Sequence, residues 1–169
     1  DYESVLADFA KQKQAAVEAL KQPDRFKNDP DEKARLEALV NAAPPDHVAR
    51  ATFYLGVMLY EDGKFADSLA RLTAFAQQFP QSPLLPEAQL RQGFCQVQLK
   101  QWAEVPKVLQ PLADKAPHLA DQCLFWIAKA QAGAALDIAN NPPAQDAALK
   151  QAIATFGTAA DRAAQLANA

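Results

Sequence analysis

The side chains in this chain that could do chemistry are few and scattered. His47 follows Asp46 and His118 follows Pro117, both at points where a helix would begin. That placement suits helix entry better than shared acid–base work. Metal binding needs clustered His, Cys or carboxylate ligands, and no such cluster is visible, so neither a metal nor a cofactor is expected. Cys95 and Cys123 are the only cysteines, too few for a disulfide framework. Neighbouring acids such as Glu61-Asp62 read as solvated turn residues. No nucleophile elbow, H-E-x-x-H, Walker or dinucleotide glycine pattern occurs. No catalytic residue is assigned, and the chain is not expected to be an enzyme.

Composition bounds the remaining options. The chain has 169 residues, half of them hydrophobic, enough for one domain with a real core. Gly is scarce at 5, while Ala, Leu and Gln are frequent, and these lose little on entering a helix. A formal net charge of −3, with acids and bases mixed along the chain, leaves no basic block to neutralise phosphates. Nucleic-acid binding is therefore not expected. No apolar run approaches the roughly 20 residues that span a bilayer. The chain opens at Asp1 rather than Met, as a processed product or a fragment of a longer chain would.

The elements follow from periodicity. Val5, Leu6, Phe9, Ala16, Val17 and Leu20 fall on one face of a helix expected over 1–22. Lys13 interrupts that face, with its stem able to lie along the stripe and its charge reaching outward. Pro23-Asp24 punctuates the chain, 25–30 reads as a loop, and a short helix follows from about Asp31 to Asn41. Asp46 is the expected N-cap of the next helix, whose apolar stripe runs Val48, Ala51, Thr52, Leu55, Leu59. Gly63 is the natural left-handed residue at the turn after it. Phe65 opens a return helix that Pro80 closes. Farther on, Pro106 falls in a first helical turn, whereas Pro111 should kink its helix.

Landmarks then recur. Gly56 and Gly93, Phe65 and Trp102, and Pro80 and Pro117 are each 37 residues apart, and a fixed period of this size marks stacked supersecondary units. The first unit carries Thr52, Leu55, Gly56, Leu59, then Ser68, Leu72 and Pro80. The second carries Gln89, Gln92, Gly93, Gln96, then Val105, Leu109 and Pro117. A third is suggested by Ile127-Ala128 in the place of Leu55-Gly56, with its second helix displaced by an insert Asn140-Asn141-Pro142-Pro143 and resuming over 147–167. In that last helix Ala152, Phe156 and Ala159 take packing positions, and Ala147, Ala148 and Ile153 are also expected inward. With the helices so placed, Cys95 and Cys123 are offset by about seven residues, on the order of 10 Å at 1.5 Å per residue. That is too far for a disulfide and fits core thiols.

This pattern resembles the tetratricopeptide repeat (TPR), whose mark is W-x2-L-G-x2-Y, A-x3-F and P. The resemblance implies an all-α, right-handed α-solenoid of about three TPR-like hairpins preceded by two N-terminal helices. The single domain over 1–169 would divide into N-terminal helices (1–46), repeat 1 (47–80), repeat 2 (81–117) and a degenerate repeat 3 with insert and capping helix (118–169). The joint F-P-x-S-P-x-x-P-E-A around Ser82, Pro83 and Pro86 resembles that of bacterial envelope TPR proteins, of the Tol–Pal coordinator and outer-membrane assembly lipoprotein type. A periplasmic or envelope-associated protein is implied, the alternative being a cytoplasmic one.

In a TPR stack the first helix of each pair lines a concave face that binds a peptide or helix. The matching positions here are Arg50, Phe53, Val57 and Tyr60, then Leu90, Phe94 and Val97, then Phe125 and Lys129. This lining lacks the Lys/Asn/Arg set with which chaperone-binding TPRs clamp a terminal carboxylate. Three readings of the apolar lining stay open: a surface covered by the chain itself, notably by its N-terminal helix; a groove for a protein or peptide partner; or a seam between copies in a homo-oligomer. The expected function is a non-catalytic interaction scaffold in an envelope assembly. The alternative is a structural or self-assembly module.

Overall fold

A computed structural model describes residues 1–27 and 29–168; all regular structure among them is helical. They form two compact units, Asp1–Leu55 and Gly56–Ala169, divided within α3 (Asp46–Glu61) rather than at residue 46, where the helix pattern breaks. No helix among the described residues is long and apolar enough to cross a membrane.

In the first unit α1 (Tyr2–Leu20) packs on α2 (Pro30–Asn41). The Asp1 side chain caps α1 by accepting from the Glu3 amide at 2.9 Å, and Asp29 caps α2 by accepting from Glu32 at 2.8 Å. Each satisfies an orphan donor of a first turn. The loop expected over 25–30 is shorter than its sequence suggests. Pro23–Phe26 forms a 3-10 turn that buries the Phe26 ring, and α2 begins at Pro30; Asn28 lies outside the described residues. Lys13 finds a definite destination. Its ammonium donates to the Ala42 carbonyl at the end of α2 at 3.2 Å and lies 5.5 Å from the Phe9 ring. A cation at a helix C-terminus meets the negative end of the dipole. Asp46 is the first helical residue of α3 and not its cap. The Pro45 carbonyl accepts from Val48 and Ala49, and Asp46 pairs with Arg50 one turn on at 2.7 Å.

The second unit holds the end of α3, then α4 (Phe65–Gln78), α5 (Leu85–Gln98), α6 (Val105–Lys115), α7 (Ala120–Leu136) and α8 (Pro142–Ala167). Each of α4 to α8 packs on the next, and α5 also packs on α7. The 37-residue period is a structural one. A Cβ on Gly56 would fall 2.8 Å from Leu72, and one on Gly93 would fall 2.6 Å from Leu109. Both pairs are 16 residues apart, and both Leu side chains are wholly buried. Glycine is needed at 56 and 93 because the return helix crosses against bare backbone.

The turns repeat as well. Gly63 has φ +75° and Lys100, 37 residues later, has φ +56°. Lys64 donates to the Leu59 carbonyl at 2.8 Å and Gly63 to Tyr60 at 3.0 Å; Gln101 donates to Gln96 at 2.8 Å and Lys100 to Val97 at 3.1 Å. This is one helix-ending motif used twice. Ser82 accepts from the Leu84 amide at 3.2 Å in the turn before the second hairpin, but the residue at the N-cap of α5 is Leu84, which has no side-chain cap. Pro86 and Pro106 fall in first turns, where no amide is missed. Pro111 lies inside α6 on its exposed side. The helix continues through it, although Pro111 has no amide to offer the carbonyl four residues back.

Two expectations for α8 are corrected. Asn140-Asn141-Pro142-Pro143 is not an insert that delays the helix. Asn140 is left-handed, at φ +58°, Asn141 caps by accepting from Ala144 at 3.2 Å, and both prolines belong to the first turn. Ile153 is 68% exposed, and Ala147 is exposed too. The inward stripe is Ala152, Phe156 and Ala159, at spacings of four and three.

The core of this unit lies between α5, α6 and α7: Leu90, Val97, Val105, Leu109, Leu112, Cys123 and Ile127, with Ala113, Ala120 and Ala130 among them. Buried polar groups stitch the helices together. Cys95 donates its thiol to Ser68 Oγ at 3.3 Å, Ser68 donates to the Gly56 carbonyl at 2.7 Å, and Gln92 Nε2 donates to the Leu72 carbonyl at 2.9 Å. The three bonds tie α5, α4 and the end of α3 into one register, since a buried polar group left unpaired is costly.

Candidate functional site

The second unit carries a continuous strip of aromatic rings across its helices. Phe65, at the start of α4, lies 5.2 Å from Tyr60 at the end of α3. Tyr60 lies 6.3 Å from Phe94 of α5, and Phe94 lies 4.2 Å from Trp126 of α7. Trp126 meets its neighbour Phe125 edge-on at 5.9 Å, and Phe125 meets Phe156 of α8 at 5.5 Å. Lys129, one turn beyond Phe125, sets its ammonium 4.4 Å from the Trp126 ring and 5.8 Å from that of Phe125. Gln98 Nε2 donates to the Tyr60 hydroxyl at 3.4 Å. Most of these rings are half-buried, while Phe125 is 43% exposed and Met58, near the same end of α3, 49%. Rings that are neither buried nor dispersed form a contiguous aromatic patch on this unit.

A cleft of about 410 Å³ opens between α7 and α8 at one end of the strip. Its walls are Phe125, Trp126 and Phe156, its floor is Ala159, Ala160 and Ala163, and Asp121 and Gln122 stand at its rim. Small residues on α8 leave room for the cleft, because Ala cannot fill the space that the rings of α7 hold open. A second cleft, of about 550 Å³, lies where the α5–α6 turn meets α7; Trp102, Pro106, Ala130 and Gln131 line it. There the Trp102 ring rests on Gly133, where a Cβ would come within 2.7 Å, and its Nε1–H donates to Asp137 at 2.7 Å. The first unit has its own cleft, of about 460 Å³, lined by Val5, Phe9, Leu39, Pro45, Asp8 and His47.

The residues expected to line a binding face divide by helical register. Tyr60, Phe94, Phe125 and Lys129 come together on the strip. Val57 is half-buried, one period before Phe94. Phe53 and Leu90 occupy equivalent positions 37 residues apart, and both are buried, at 4% and 1% exposure. They serve as core and present no surface. Val97 is nearly buried, and it belongs to the α5–α6–α7 core. Arg50 is exposed in the first unit and held by Asp46. Trp126 and Phe156 are the participants that the lining pattern missed. Trp126 was legible from its spacing, since a Trp three residues before a Lys on one helix places cation over ring.

Cys95 and Cys123 are free thiols with no measurable exposure. Burial pushes the Cys95 thiol up, and burial together with the nearby charge of Asp121 pushes Cys123 up to about 11. Thiols in that state are poor nucleophiles, because the thiolate is the attacking form. His47 and His118 are exposed at opposite ends of the sequence pattern, on α3 and on the 3-10 turn Pro117–Leu119. Among the described residues no three His, Cys, Asp or Glu gather to hold a metal ion.

Comparison of the chain with protein-family models, with curated proteins and with solved structures gave no match.

Proposed function

We propose that the chain is a non-catalytic interaction module of TPR-like build, with consecutive hairpins stacked as a right-handed solenoid. The second unit takes a peptide or helix of a protein partner along the aromatic strip. The observation that carries this reading is the strip itself: rings from α3, α4, α5, α7 and α8 in unbroken edge-to-face or tilted contact, with an open apolar cleft at its end. The Gly56–Leu72 and Gly93–Leu109 crossings at one 37-residue period support the repeat build. Assignment to a bacterial envelope assembly rests on the joint around Ser82 and Pro86 and belongs to the same proposal.

The test is affinity capture from an extract of the host cell with wild type and Phe125→Ser, both checked for helix content by circular dichroism. Phe125 is exposed enough that its loss leaves the core intact. Capture by wild type and not by the variant is the expected result; equal capture by both refutes the strip as the working surface. The second reading, self-assembly through the same rings, is favoured by the exposure of Phe125 on the strip. It requires that the sedimentation mass of wild type rise with concentration and that Phe125→Ser abolish the rise.

A further inference from the structure

The α7–α8 cleft is apolar and aromatic on its walls, yet one charge lines it. Among the described residues of its lining, Asp121 is the sole ionisable side chain, and none is Lys or Arg. One of its carboxylate oxygens, Oδ1, is buried without a hydrogen-bond partner. Such an oxygen is stabilised by a positive charge brought close to it, and low local polarity strengthens that attraction. Phe125, Trp126 and Phe156 meet at steep angles, 88° and 66° between planes, so ring faces and edges turn in different directions around the opening. Ring faces attract cations, and the strip already holds one in this way, Lys129 over Trp126 at 4.4 Å. Lys129 does not compete for the Asp121 end. Eight residues of α7 separate the two, roughly 12 Å along the helix.

Resting on the interaction reading above, we propose that the cleft is a receptor for a basic side chain. A Lys or Arg of the bound partner segment enters the cleft alongside the Phe125–Phe156 pair, its charge against Asp121 and its apolar stem on Ala159 and Ala163. Charge complementarity selects this occupant: an acidic side chain would set like charge against Asp121 at the rim, and a purely apolar one would bring it no counter-charge.

The experiment is selection of a displayed library of randomised helical 12-residue peptides on wild type, on Asp121→Asn and on Phe125→Ser. Wild type should enrich Lys or Arg at one position, flanked by apolar positions, about tenfold over the starting library. On Asp121→Asn, which keeps the shape of the side chain, the basic preference should vanish while the apolar positions persist. Peptides enriched on wild type without a fixed basic position would overturn the receptor and leave the interaction surface standing. So would a basic preference that survives Asp121→Asn. A failure of wild type to enrich any sequence would overturn both. Binding lost on Phe125→Ser, with helix content unchanged, ties the selected peptides to this cleft; binding retained there places them elsewhere and overturns the receptor.

Discussion

Adding one methyl group at Gly93 tests whether the 37-residue period is a packing constraint. In an open helix interior Gly→Ala stabilises by about 1 kcal/mol, through reduced backbone entropy in the unfolded chain. Gly157 is such a site, with nothing within 4 Å of the added Cβ, and Gly157→Ala should gain close to that full amount. Gly93 is the opposite case. Its Cβ would stand 2.6–2.8 Å from three carbons of Leu109, a side chain with no exposure and core on every side. Overpacking of this kind costs about 1–3 kcal/mol, so Gly93→Ala should fall below Gly157→Ala by about that margin and be neutral to destabilising in absolute terms. Urea unfolding followed at 222 nm measures both. Leu109→Ala supplies the internal control. Alone it costs about 2–5 kcal/mol, but within it the clash is gone, and Gly93→Ala should recover the propensity gain. The coupling between the two substitutions should be about 1–3 kcal/mol in the favourable direction. A Gly93→Ala protein stabilised as much as Gly157→Ala, with no coupling to Leu109→Ala, would refute the claim that helix crossing at this position needs bare backbone.

Two further outcomes follow from the same structure. Lys100 holds a left-handed backbone where its counterpart is Gly63, so Lys100→Gly should stabilise by about 1 kcal/mol and Gly63→Ala should cost about the same, read as shifts in urea midpoint at constant slope. Cys123, held up to about 11 by burial and by Asp121, keeps its proton in the folded chain at pH values where the unfolded thiol, with its ordinary value of 9.0, has lost it. The folded state therefore binds more protons between those values. Its extra stability is complete below pH 9 and is lost as pH rises through 11, on the order of 3 kcal/mol in all. The unfolding free energies of wild type and Cys123→Ala should shift relative to each other by about 2 kcal/mol between pH 8 and pH 11, with wild type losing stability; a difference independent of pH would show that the thiol is not held protonated.

What the sequence made legible was the local grammar. Gly63 at the turn, Pro106 in a first turn, and the 37-residue recurrence of Gly56 and Gly93 follow from rules that act over one or two helical turns or across one fixed period. The misreadings came where two rules competed. Asn140 to Pro143 has the composition of a loop, but Asn tolerates the left-handed region, Asn caps, and Pro fits a first turn, so the four residues start a helix instead of interrupting one. Hydrophobicity alone points Ile153 inward, whereas the 3.6-residue period carries the stripe through Ala152, Phe156 and Ala159 and leaves Ile153 outside.

The aromatic strip was harder to read because burial along α5 changes within a single turn. Leu90 and Phe94 are four residues apart and both apolar, yet one is core and the other meets Trp126 across the surface strip. Sequence spacing places both on one side of the helix; only the neighbours decide which is covered. For Leu90 these are α6 and α7, whose Leu109 and Ile127 belong to the same core. Phe94 packs against the edge of that core and meets the rings of Tyr60 and Trp126 on its other side, so it stays half-buried. A period that repeats backbone geometry therefore need not repeat a surface. Val57 and Phe94 are counterparts at 37 residues, but the aromatic side chain at 94 is what links Tyr60 to Trp126. The Gly–Leu crossings fix where the helices lie, and the residues that differ between the copies determine what the face can hold.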